Sequence, residues 1–156
     1  MGILEQIEQS AFPLWVREGG SLLGFPTFLF VHTLGLAIVS GLAGGMSLRL
    51  LGLAPGIPLR AFRPLFQVIW LAFAATAISG VTLLSTEAVA KLSSPVFYVK
   101  MALITVALLL LQRTRAIVEA SRDTADAPPP GARLLAGASL TLWIATTIAG
   151  RLMAYF

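Results

Sequence analysis

Four long stretches of the chain show almost no polar rhythm. No Lys, Arg, Asp or Glu occurs from Gly19 to Leu48, from Pro64 to Thr86 or from Leu134 to Gly150, and a further apolar run from about Pro95 to Arg113 is interrupted only by Lys100. A bilayer crossing takes about 20 mostly apolar residues. The pattern therefore predicts transmembrane helices over about 25–51, 62–88, 95–116 and 133–156, with Pro26 suited to the first turn of the first. Upstream, Ile3, Leu4, Ile7 and Ala11 share one helical face while Glu5, Gln6, Glu8 and Gln9 face away. This predicts a short interfacial helix over about 3–12, ending before Pro13, with Trp15 at head-group level. The expected fold is all-α: a polytopic membrane protein of one domain, 1–156, built as a four-transmembrane-helix bundle with a short N-terminal interfacial helix.

Composition points to the same solvent. Mean hydropathy is +0.88, with 57% hydrophobic and 12% charged residues, where a soluble domain carries about a quarter charged. The net charge of +4 and pI of 10.4 do not signal nucleic acid, because the basic residues sit at the ends of apolar runs rather than in one stripe. Lipid is the expected partner, and an oligomer stays open. The absence of Cys excludes disulfides, thiolate metal sites and iron–sulfur clusters. Glu5 and Glu8 stand where a signal peptide carries Lys or Arg, so no cleaved leader is expected.

The basic residues also set an orientation. Seven of them (Arg49, Arg60, Arg63, Arg113, Arg115, Arg122, Arg133) fall on the side of the first and third interhelical loops, against four (Arg17, Lys91, Lys100, Arg151) on the other. This excess predicts cytoplasmic loops and periplasmic termini in a bacterial inner membrane. Arg49 reads as one of these positive-inside residues, and Trp70, Tyr98 and Tyr155 as aromatic-belt anchors. The segment Thr124 to Gly131, with three consecutive prolines, reads as a flexible linker. Small residues at Gly41–Gly45, Thr76–Gly80 and Ala145–Ala149 suit close helix contact in lipid.

Candidate chemistry lies in one layer. His32 is seven positions inside Phe25, roughly 10 Å deep, while Lys100 and Arg151 are each five positions from an outer helix end, roughly 7–8 Å. Ionisable groups at such depth are costly and usually face the bundle interior or a cavity, which makes the layer the default site. Each member also has an ordinary reading: snorkelling for Lys100 and Arg151, a hydrogen-bonded core histidine for His32. Met101 and Met153 are ordinary core filler, yet with His32 they form an imidazole and thioether set suited to Cu(I), or give a heme iron one His and one Met. Glu87 and Lys91 have the favourable i, i+4 order and read as a solvated rim, with Glu87 able instead to balance Lys100 or Arg151. Phosphate-binding loops, carboxylate pairs, zinc spacing and activated nucleophiles are missing, so hydrolytic and phosphoryl-transfer chemistry has no support.

His32-Thr-Leu-Gly35, Gly44-Gly-Met-Ser-Leu-Arg-Leu-Leu51, Pro95-Val-Phe-Tyr-Val-Lys-Met101 and Gly150-Arg-Leu-Met-Ala-Tyr155 together resemble an uncharacterised bacterial family of four-helix membrane proteins. A first-helix His with an aromatic-x-x-Lys opening the third helix is more distantly similar to HemJ-type protoporphyrinogen oxidases and CopD-type copper-resistance proteins. The HemJ-type resemblance implies a heme b membrane protein in which His32 matches the heme-ligating His and Lys100 the third-helix Lys.

Three readings follow. In the first, a heme b protein in electron transfer or porphyrin redox chemistry, His32 is the axial ligand and Lys100 and Arg151 pair with the propionates, with a membrane or periplasmic redox partner. In the second, an accessory or anchor subunit of a membrane complex, the layer only fixes helix register. In the third, a copper carrier, His32, Met101 and Met153 pass Cu(I) inward, which leaves the two cations unexplained.

Overall fold

In the computed structural model, which describes residues 2–20, 22–121 and 128–152, every regular element is helical. In chain order these are α1 (Ile3–Glu8), α2 (Ala11–Glu18), α3 (Phe25–Leu51), a 3-10 turn (Leu59–Phe62), α4 (Leu65–Thr86), α5 (Ala88–Ser93), α6 (Pro95–Ala120) and α7 (Ala132–Leu152). Four segments, Phe25–Leu51, Leu59–Thr86, Pro95–Ala120 and Ala132–Leu152, are long and apolar enough to cross a membrane. The protein is all-α, with the helices of a multi-pass membrane protein. Met153, Tyr155 and residues 124–127 of the linker expected over 124–131 lie outside the described residues.

Boundaries follow local chemistry. Pro26 and Pro95 occupy first-turn positions of α3 and α6, where the missing N–H costs no intrahelical bond. Gly52 ends α3 at φ 109°, a conformation that disfavours any side chain, and Leu53 N–H then reaches the Leu48 carbonyl at 3.1 Å. The N-terminal segment differs from the expected helix over 3–12: it forms two helices broken at Gln9–Ser10. Pro13 does not stop the second, because it stands in the first turn of α2. α6 runs to Ala120 rather than 116, its polar end carrying the Arg115–Glu119 i, i+4 pair at 2.6 Å.

We call the end of the bundle that carries Phe25, Thr86, Pro95 and Leu152 the outer end. There α1 and α2 lie against α4 and α5: an Arg17 guanidinium N–H donates to the Thr86 carbonyl at 3.4 Å, and Val89 N–H donates to the Glu8 carboxylate at 2.8 Å. Arg17 also pairs with Glu18, whose hydrogen bond raises the Arg17 pKa above its ordinary value.

α3 packs along α4 and α7, and α7 along α6. α4 and α6 lie less closely along one another than these pairs; both adjoin α5 at the outer end, and at the inner end the Arg63 guanidinium donates to the Glu119 and Ser121 carbonyls at 2.6 and 3.3 Å. The main apolar cluster runs from Val39 to Met46 on α3, Phe66 to Ala72 on α4, Ala107 to Val118 on α6 and includes Trp143 on α7, so it fills the inner half. Toward the outer end α6 buries nothing before Ala107, while α4 buries Ser79, Thr82 and Thr86, and α7 buries Thr146. Buried hydroxyls also occur in the inner half, at Ser47, Thr114 and Ser139, so it is the apolar cluster and not the hydroxyls that distinguishes the two halves.

Arg49 is folded inward, only 4% exposed, with its Nε and a terminal N–H on the Ile57 and Pro55 carbonyls at 2.7 and 3.1 Å. It pins the loop that follows α3.

Candidate functional site

The site grows from a close crossing of α3 and α4. Gly35 is buried with its Cα so near α4 that a Cβ would collide with the Thr76 hydroxyl and lie 2.9 Å from the Ala72 carbonyl oxygen. Gly80 meets the His32 ring the same way, with a built Cβ 2.9 Å from Cε1. Two glycines therefore let the imidazole lie flat between the helices, one turn apart along their contact.

That placement decides the tautomer. His32 Nδ1 is 2.9 Å from the Thr76 carbonyl oxygen, which can only accept, so the Nδ1 proton is donated there. The Ser79 hydroxyl, 3.4 Å from the same nitrogen, is already committed to the Ala75 carbonyl at 2.6 Å. The neutral ring then carries its lone pair on Nε2, for which no hydrogen-bond partner occurs among the described residues. A carbonyl holding one ring nitrogen while the other stays free is how ligating histidines are usually oriented.

Lys100 completes the pair. Its side chain is half-buried against Gly150 of α7, with Cε and Nζ 3.7 and 3.8 Å from a Cβ built there. No hydrogen-bond or ion-pair partner for its ammonium occurs among the described residues. Among the described acidic residues only Glu119 falls inside a spanning helix, and it stands at the inner end. Glu87 pairs with Lys91 at 3.4 Å, the i, i+4 rim pair expected from their spacing, rather than balancing Lys100 or Arg151. An uncompensated cation inside a membrane bundle is costly and marks an anionic partner or a polar path.

The structure sets His32 against α4 and Lys100 against α7, both half-buried toward the outer end, and gives the remaining candidates other surroundings. Arg151 follows Gly150 directly but is exposed, off the face that α7 buries. Met101, one residue past Lys100, is 38% exposed and turned about 100° round α6 from it. Met153 lies outside the described residues. No cluster of three or more His, Cys, Asp or Glu able to hold a metal occurs among them.

Two polar atoms escaped the sequence reading. Trp143 Nε1 and Thr146 Oγ1 are buried, at 3% and 0% residue exposure, without a hydrogen-bond partner. The signal was the stripe Ala132, Ala136, Ser139, Trp143, Thr146 and Gly150, at spacings of three and four, which puts both on one face with the glycine beneath Lys100. The chain matches no protein-family model, no curated protein and no solved structure.

Proposed function

We propose that this is a small heme b membrane protein serving electron transfer or porphyrin redox chemistry. The observation that carries the reading is the His32 ring, whose Nδ1 is committed to the Thr76 carbonyl and whose Nε2 has no hydrogen-bond partner among the described residues. By type the residues suit the group: an imidazole nitrogen for iron and, from Lys100, a half-buried cation for a propionate. Bound heme would supply one-electron redox chemistry at this place. The chain's own part is to hold the imidazole in one tautomer, to keep a cation toward the outer end and to exclude water with the apolar inner half. Arg151 can serve a second propionate only from the outer surface of α7, since its side chain is exposed. The copper reading draws less support, because Met101 is turned away from Lys100 and a half-buried cation toward the same end opposes Cu(I).

Purified protein expressed with ample heme should show a Soret band that shifts on dithionite. Lys100→Gln should leave the band in place but speed heme loss to apomyoglobin several-fold, since about 1–3 kcal/mol of charge-assisted bonding is removed. A colourless wild type would transfer support to the accessory-subunit reading. That reading has an observation of its own: the Nδ1 bond and the Gly80 contact fasten α3 to α4 whether or not anything is ligated.

The proposed orientation, in a bacterial inner membrane, has the outer end and both termini on the periplasmic side, supported by the seven-to-four bias of basic residues. Reporters fused after Phe156 should be exposed there, and reporters inserted at Pro129 should stay cytoplasmic. A cytoplasmic C-terminus would overturn this orientation.

A further inference from the structure

Beside α2, at the outer end, lies a cavity that neither His32 nor Lys100 lines. Its volume is about 470 Å³, and its walls are Val16 and Arg17 of α2, Leu22, Phe25 and Pro26 at the entry to α3, and Glu87 just past the end of α4. Cavities of about 300–1,000 Å³ are the size that holds small ligands. Because it sits where α3 begins and α4 ends, it opens at the level of the lipid head groups.

The cavity carries two opposite charges that do not close on each other. Arg17 and Glu87 face the same space and the Glu87 charge acts on the Arg17 guanidinium, yet the two form no ion pair. Arg17 gives one terminal N–H to Glu18 at 2.8 Å and another, at a long 3.4 Å, to the Thr86 carbonyl, which leaves donors over from its five. Glu87 meets Lys91 at 3.4 Å through one oxygen and keeps the other as an acceptor. These are solvent-exposed pairs, worth little in water and open to competition from an incoming group.

A simple ion would suit one of these walls and be repelled by the other. An occupant that suits both joins an anion with acceptor oxygens to a cation with N–H donors in one small group. The apolar wall asks for hydrocarbon as well: Leu22 and Phe25 are exposed, and Leu29, one turn further along α3, continues the Phe25 face into the membrane. A phospholipid with a primary ammonium beside its phosphate meets all three demands, with phosphate for Arg17, ammonium for Glu87 and an acyl chain along Phe25 and Leu29. A choline head group has the same charges but no N–H for Glu87, and an anionic head group brings Glu87 no cation.

We propose that this cavity binds an aminophospholipid of the phosphatidylethanolamine type. The site uses neither His32 nor Lys100, so it does not rest on the heme reading. With Arg17 on α2 and Glu87 between α4 and α5, the bound head group bridges the N-terminal segment to the bundle.

The test uses full-length, delipidated protein in detergent, titrated with phosphatidylethanolamine, phosphatidylcholine and phosphatidylglycerol of equal chain length and read by native mass spectrometry. Wild type should retain one phosphatidylethanolamine with a dissociation constant roughly two- to fivefold below that of either other lipid, the range of one exposed charge pair. Glu87→Gln should remove the preference over phosphatidylcholine. Lys91→Gln breaks the same rim pair without changing the cavity wall and should keep it. Arg17→Gln should weaken all three lipids, which share the phosphate, whereas Glu18→Gln, which also breaks the Arg17–Glu18 pair, should not. The proposal is overturned by equal retention of the three lipids by wild type, by a preference for phosphatidylglycerol, by a preference that survives Glu87→Gln or is lost in Lys91→Gln, or by lipid binding that Arg17→Gln leaves unchanged. Free phosphoethanolamine competing as strongly as the lipid would also overturn it and assign the cavity to a soluble zwitterion.

Discussion

Gly35→Val should destabilise the protein by about 3 kcal/mol, the upper range for forcing extra atoms into a packed interior. Even Gly35→Ala should lose stability, although helix propensity favours alanine by about 1 kcal/mol. The reason is what the new Cβ meets: the Thr76 hydroxyl, itself bonded to the Ala72 carbonyl at 2.9 Å, and that backbone carbonyl oxygen. Neither is the free end of a flexible chain, so relief requires α3 and α4 to separate. Separation would in turn stretch the 2.9 Å bond from His32 to Thr76. Gly41 is the control, since a Cβ there meets nothing within 4 Å and Gly41→Ala keeps the propensity gain. Unfolding in mixed micelles by added SDS compares the three variants. Equal losses at Gly35 and Gly41 would contradict the close crossing.

The same pair of glycines shows how far the sequence could be read. Spans and their number were legible because lipid demands long uncharged helices, a one-dimensional constraint. Which glycine packs was not. α3 is apolar all round, so its pattern does not say which face meets a neighbour. The run Gly41–Gly45 has the right spacing, yet Gly41 and Gly45 face open space while Gly44 touches Leu140 and Gly35 makes the tightest contact.

Candidate residues divide along a similar line. His32 and Lys100 could be singled out from sequence by the cost of burying ionisable groups, and both are half-buried. Arg151 carried the same signal but is exposed, because a position one step past Gly150 rotates it off the buried face of α7. Arg49 reads from sequence as a positive-inside residue at the end of α3, and what the sequence does not show is that its guanidinium closes the following loop from inside. Thr146 and Trp143 were invisible since threonine and tryptophan are ordinary in membrane helices; only the count of their partners sets them apart.

His32→Ala should abolish the Soret band, the largest effect expected of any single change at the site. One imidazole is present in the whole chain, so no other residue of its kind can take over the iron. The substitution also deletes the bond to Thr76, which as a single neutral hydrogen bond is worth about 0.5–1.5 kcal/mol, and opens a space facing Gly80. Loss of colour could then follow from loss of the ligand or from loosening of α3 against α4. Free imidazole separates these causes. It can enter the vacated space and offer a nitrogen to iron, but it is not tethered to α3 and cannot restore the fastening. A band restored by imidazole in a variant that still melts low would identify His32 as the ligand. A variant that keeps the wild-type band before any imidazole is added would remove His32 from that role and, with it, the heme reading of the site.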